Sequence, residues 1–154
     1  MFTSIDIDAL RSEAVRYIQQ WIGKPYKWGG DDFSGWDCSG LIHETLQSVG
    51  LEKSGYDCTA NQLYLNFKNG RIVELTEESP YIRHGYLVFW FKNGKAYHVA
   101  MTINEFQICE AAGGDSDTIT EEDAIRDNAY VRNRRLNYRG ENYKIVDPFK
   151  GWEG

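Results

Sequence analysis

The sequence predicts an α+β domain, with N-terminal helices packed on a C-terminal antiparallel sheet of about five strands. Two observations carry that expectation. Apolar residues recur at helical spacing up to about Gly70 and at a period of two thereafter, and an Asn-Gly pair joins two of the alternating runs.

Taken in order, Leu10, Ala14, Ile18, Trp21 and Ile22 follow a helical period from Asp8, and Gly23 stands where a left-handed C-terminal residue belongs. A second helix is expected from about Ser39 to Val49, carrying Leu41, Ile42 and Leu46, with Gly50 as its stop. Thr59-Ala60-Asn61-Gln62 fits a capping box and opens a third, which carries Leu63 and Phe67 and closes at Asn69-Gly70. Leu87 to Phe91 and Tyr97 to Met101 then face each other across Lys92-Asn93-Gly94-Lys95 as a hairpin. Phe106 to Ala111, Ala129 to Leu136 and Tyr143 to Val146 supply three further strands. Gly113-Gly114-Asp115-Ser116-Asp117 makes a loop, followed by a helical turn at Glu121 to Ile125.

A chain of 154 residues is most simply one domain, 1–154, long enough to bury a core. It contains no run of about 20 apolar residues, so no membrane span is expected. Met1-Phe2-Thr3-Ser4-Ile5-Asp6 lacks the basic-then-apolar order of a secretory signal, so the chain is expected to be soluble and cytoplasmic as synthesised. A net charge of -6 argues against nucleic acid as a partner, because phosphate backbones need basic surface. Three cysteines with no Cys-x-x-Cys pair argue against both a disulfide framework and a zinc site. No metal or other cofactor is expected.

The chemistry concentrates at Asp37-Cys38-Ser39-Gly40, between Trp28-Gly29-Gly30 and the second helix. A cysteine at a helix start meets unpaired N–H groups and a positive partial charge, which favour a thiolate and offer an oxyanion site. In the strand Ala96 to Ile103, alternation puts Tyr97, Val99, Met101 and Ile103 on an apolar face. Ala96, His98, Ala100 and Thr102 fall on the other, leaving His98 among small neighbours. Glu110 shares the face of His98 if the loop around Asn104-Glu105 has an odd number of residues, and takes the opposite face if it has two.

Pro25-Tyr26-x-Trp28-Gly29-Gly30, Asp37-Cys38-Ser39-Gly40-Leu41, Thr59-Ala60, Gly85-x-Leu87-Val88-Phe89 and His98-Val99 resemble, in order and rough spacing, the motifs of the NlpC-type cysteine peptidases. These are bacterial and phage cell-wall enzymes with a stripped-down papain-like fold. The resemblance implies cleavage of peptidoglycan stem peptides after γ-D-glutamate and before diaminopimelate or lysine. It implies a triad of Cys38, His98 and Glu110, with Tyr26 and the Cys38 backbone N–H at the oxyanion. Asp37 and Ser39 are then implied as receivers of the stem's free α-amine. The chain departs from the family pattern with Glu110 at a position more often neutral, Tyr86 after Gly85, and Ala100 after His98-Val99. A leaderless enzyme of this kind fits a phage lysin or virion-associated hydrolase, and equally a cytosolic muropeptide-recycling enzyme. Two other readings stand beside it: a thiol amidase or acyltransferase on another acyl donor, and a wall-binding or virion module without turnover.

The remaining chemistry-bearing residues have ordinary explanations. Cys58 mimics the first tetrad within Asp57-Cys58-Thr59-Ala60 but lacks a histidine, and Cys109 alternates to the core face. His43 and His84 are expected at the surface or in loops. Trp21, Trp28 and Trp36 suit either packing or a glycan groove. Arg132, Arg134, Arg135 and Arg139 suit either a solvated strand face or a site for stem-peptide carboxylates.

Overall fold

A computed structural model describes residues 3–32, 35–51, 59–68 and 82–149. Helix α1 spans Ser4–Gln19 and starts before Asp8, because Thr3 and Asp6 close a capping box ahead of the apolar stripe. The chain then turns through Gly23, at φ 92°, whose N–H donates to the Val131 carbonyl. A two-stranded ribbon follows, β1 (Asp31–Asp32) with β2 (Gly35–Trp36), which the periodicity did not announce. Helix α2 (Cys38–Ser48) and helix α3 (Ala60–Lys68) match the expected second and third helices. The capping box at Thr59 and Gln62 is formed in both directions. The expected stop at Asn69-Gly70, and Asp57-Cys58 of the second tetrad, lie outside the described residues.

The sheet comprises β3 (Leu87–Lys92), β4 (Lys95–Thr102), β5 (Gln107–Ala112), β6 (Tyr130–Arg135) and β7 (Tyr143–Val146), in the order β6-β5-β4-β3-β7. All its pairings are antiparallel. Asn93 and Gly94 take left-handed φ values of 54° and 76°, the two-residue hairpin geometry that Asn-Gly favours. The expected helical turn is a full short helix, α4 (Glu121–Asp127), capped by Thr120 and closed by left-handed Asn128. It lies within the strand-rich half, so the segregation of helices from strands is incomplete.

The sheet has two apolar faces. Leu87, Phe89, Val99, Met101, Cys109, Val131 and Val146 pack with α1, α2 and α3 in the main core. Val88, Trp90, Ala100, Ile108 and Ile145 form a smaller cluster on the other side. A buried ion pair ties the two ends of the chain together, with Arg11 donating to Asp147 at 2.6 Å while its guanidinium lies over Tyr86 and Phe149. Among the described residues no helix is long and apolar enough to cross a membrane.

One irregularity changes the expected faces. Trp90 pairs with His98 but Phe91 pairs with Ala96, so Tyr97 is an extra residue in β4. Ala96 therefore joins the main core, and Tyr97 turns outward, half exposed, instead of sharing the face of Val99.

Candidate active site

The start of α2 is built on the Trp28-Gly29-Gly30 turn. The Asp37 carboxylate accepts hydrogen bonds from the Gly40 N–H at 2.7 Å and the Gly29 N–H at 3.0 Å, capping the helix and holding the turn against it. Asp37 N–H in turn donates to the Gly30 carbonyl at 3.1 Å. A side chain at Gly40 would bring its Cβ within 2.1 Å of that carbonyl, so the small residue two places after Cys38 is a packing requirement. Ser39 donates from its hydroxyl to Asp37 at 3.3 Å.

Cys38 is thus the first helical residue, as expected, but its charge state is not. Burial, reinforced by the Asp37 carboxylate, pushes the Cys38 thiol up to about 12, against the pull of the Val99 and Ser39 backbone N–H groups. The carboxylate that caps the helix opposes its positive end at the position where a thiolate would form. On that balance Cys38 rests as a thiol, whereas the helix start alone would favour a thiolate.

Helix α2 packs on β4 and β5, and these two strands pair only at Met101 with Cys109 and at Thr102 with Ile108. That register leaves Asn104, Glu105 and Phe106 as an odd turn, closed by Ile103 N–H to the Gln107 carbonyl, so His98 and Glu110 fall on one face. His98 Nε2 lies 2.7 Å from Glu110 Oε2, and both side chains are buried. Where small neighbours were expected, Trp90 packs on the imidazole, with ring centroids 5.5 Å apart.

Burial would raise the Glu110 carboxyl, yet the bonds from His98 and Arg139 hold it down at about 2. An ionised carboxylate only accepts, so Nε2 carries the proton of the His98–Glu110 bond and Nδ1 is the bare nitrogen of the neutral ring. Burial also lowers His98 below its usual 6.5. The Glu110 bond opposes that effect, while Arg139 and Arg134 add to it. The resting imidazole is neutral at pH 7, whereas Glu110 alone would favour the charged form.

Arg139 is the residue that sequence reasoning misplaced. It sits in the turn after β6, beyond the strand face to which the arginine cluster was assigned, and donates to Glu110 Oε1 at 2.5 Å. Its guanidinium lies 5.4 Å from the Trp90 ring centroid. Arg132 stands directly opposite Glu110 in register but donates instead to the Tyr130 and Asn128 carbonyls. Four arginines near a candidate carboxylate were a visible signal. Which one reaches it depends on the turn.

Tyr26 is buried, its backbone N–H donating to the Ala129 carbonyl at 3.0 Å. Burial and then the Cys38, Asp37 and Asp115 charges raise its hydroxyl, which therefore stays a protonated donor. Gly114 packs on the ring, and a Cβ there would come within 2.0 Å of it. A cleft of about 440 Å³ brings Tyr26, Asp37, Cys38 and Ser39 together with exposed Trp28 and Tyr97. Trp36 is buried and the half-buried Trp21 packs on it, with ring centroids 4.9 Å apart and planes tilted by 48°, so of the three tryptophans only Trp28 lines that cleft. His43, expected at the surface, is buried on α2 against Gln47. Cys109 lies in the core as expected. Among the described residues no cluster of His, Cys, Asp and Glu could hold a metal ion.

A family model described as the NlpC/P60 family matches residues 23–135. Protein P54 of Enterococcus faecium is 32% identical over 109 residues, covering 70% of this chain and 18% of that protein. The murein DD-endopeptidase MepH of Escherichia coli K12 is 34% identical over 93 residues, covering 58% of this chain and 32% of that protein. The chain therefore spans roughly a fifth to a third of the length of these relatives. Its fold is similar to the NlpC/p60 domain of the peptidoglycan hydrolase SagA, with a TM-score of 0.60 at 21% identity over 88% of this chain and 97% of that one. It is likewise similar to an NlpC/P60 family protein from Bacillus cereus, with a TM-score of 0.66 at 23% identity over 89% of this chain and 39% of that one. With the family model covering the segment that carries Tyr26, Cys38, His98 and Glu110, the chain belongs to the NlpC/P60 family, the cysteine peptidases that its motifs resemble.

Proposed function

We propose that this domain hydrolyses an amide bond in the stem peptides of peptidoglycan, between γ-D-glutamate and diaminopimelate or lysine, through a thioester on Cys38. The observation that carries the proposal is the buried His98–Glu110 bond, which uses Nε2 and leaves Nδ1 free beside a strand whose Val99 N–H faces the Cys38 thiol. Nδ1 takes the thiol proton as sulfur attacks the carbonyl carbon. Tyr26 hydroxyl and the Cys38 N–H receive the oxyanion, a class of contact worth roughly 3 kcal/mol per donor. His98 then passes the proton to the departing amine as the C–N bond breaks, leaving the thioester. Water attacks the thioester carbonyl, His98 accepts its proton, and cleavage of the C–S bond returns the thiol. Asp37 and Ser39, on the wall of the same cleft, receive the free α-amine of the stem.

A second reading concerns the bond. The E. coli relative is named as a murein DD-endopeptidase, which favours the D,D cross-link between stems. Incubating the protein with sacculi and with free stem peptides, and weighing the products by mass spectrometry, separates the two. New γ-D-glutamyl ends absent with Cys38→Ala support the proposal. Cross-link cleavage alone transfers it to the second reading. No product from either substrate, or equal product with Cys38→Ala, overturns it.

A further inference from the structure

We propose that Arg139 is a positioning residue that fixes Glu110 and, by sharing its negative charge, keeps His98 neutral and ready to accept a proton. This rests on the reading of His98 as the base. Glu110 has no exposed surface, and its two oxygens are divided between two donors: Oε2 to His98 at 2.7 Å and Oε1 to Arg139 at 2.5 Å. A buried carboxylate bonded only to an imidazole would draw a proton onto the ring and store the site as an ion pair that cannot accept another. A guanidinium on the second oxygen satisfies the charge, and its planar group is held over Trp90, the same ring that packs on His98. Arg139, Glu110, His98 and Trp90 therefore form one continuous stack and bond network.

The groups facing this network come from every neighbouring element. They are Cys38 of α2, Trp90 of β3, Glu110 of β5, Arg132 and Arg134 of β6, Tyr138 and Arg139 of the following turn, and Tyr143 of β7. Among them only Glu110 carries a negative charge at neutral pH. The balance at His98 is thus burial, with the arginines added to it, against one carboxylate, and Arg139 is the arginine bonded to that carboxylate.

The measurement is the titration of the His98 ring by NMR, alongside the acid limb of kcat/KM, in wild type, Arg139→Gln and Arg139→Lys. The His98 signal is identified among the three histidines by its loss in His98→Asn. Removing the cation in Arg139→Gln is expected to raise the His98 titration by about one pH unit and to carry the acid limb upward with it, while Arg139→Lys stays near wild type. Should Arg139→Gln fail to fold, Arg139→Met keeps an apolar stem over Trp90 and supplies the same readout. An unmoved or lowered His98 titration in the neutral variant overturns the proposal, as does a rise in KM alone, which would make Arg139 a substrate clamp. The NMR arm requires no turnover, so a failure of the proposed hydrolysis and a failure of this role are told apart.

Discussion

His98 donates from Nε2 to Glu110 Oε2 at 2.7 Å, and that bond decides which ring nitrogen is left bare. The acceptor fixes the tautomer, and its charge adjusts the ring's affinity for protons. These two contributions are separable. Glu110→Gln keeps an acceptor and is expected to lose about 10-fold in kcat/KM, whereas Glu110→Ala loses about 1,000-fold. In the Gln variant the acid limb should move to lower pH, because the Glu110 charge that raises His98 is gone while Arg139 and Arg134 remain. An acid limb that stays in place, with near-normal activity in the Ala variant, would put the third catalytic position elsewhere.

Asp37 caps α2 and also lines the cleft, and substitutions can divide those duties. Asp37→Asn keeps one acceptor, for the Gly40 N–H, and loses the one for Gly29, so it should destabilise less than Asp37→Ala, which removes both and should cost about 1 kcal/mol or more in urea unfolding. On a stem peptide with a free α-amine, Asp37→Asn is expected to lower kcat/KM by about 10-fold or more, through the lost ion pair. On the acetylated peptide, already slow with wild type, the same change should do little. Equal losses on both peptides would restrict Asp37 to the cap.

Gly114 leaves no room between the loop and the Tyr26 ring. Gly114→Ala must displace that ring, so it should reproduce Tyr26→Phe: kcat reduced about 100-fold with KM little changed, the cost of one oxyanion donor. Steady-state kinetics on the free peptide checks both. A silent Tyr26→Phe would leave the oxyanion to backbone donors.

Stability should fall on acidification in two stages. The His98 pKa is lower folded than unfolded, so its contribution is complete above pH 6.5 and declines as pH falls toward its folded value. Glu110 is held at about 2 against an ordinary 4.5, so its contribution is present above pH 4.5 and is lost as pH falls through 2. The Glu110 stage is on the order of 2–3 kcal/mol. Urea midpoints at pH 7.5, 5.5 and about 2 measure both, and the lower stage should vanish in Glu110→Gln.

The sequence by itself determined the helices, because their periods and caps are local: Thr59 with Gln62, Asp37 with Gly40, and Gly50 at φ 81° after α2. It also determined the Asn93-Gly94 hairpin and most of the candidate site, since Cys38, His98 and Glu110 each occupy a position that a motif or an alternation singles out. Where the chain meets itself at a distance, periodicity carries no information. The extra residue at Tyr97, the place of β7 beside β3, and the odd turn that puts Glu110 with His98 were decided by tertiary pairing. Charge was decided there too. A thiol raised by burial beside its own helix cap, and a carboxylate divided between His98 and Arg139, depend on desolvation and on a bond between residues 29 positions apart. Desolvation and distance come into being only when the chain is folded, and they set whether Cys38 or His98 holds the proton.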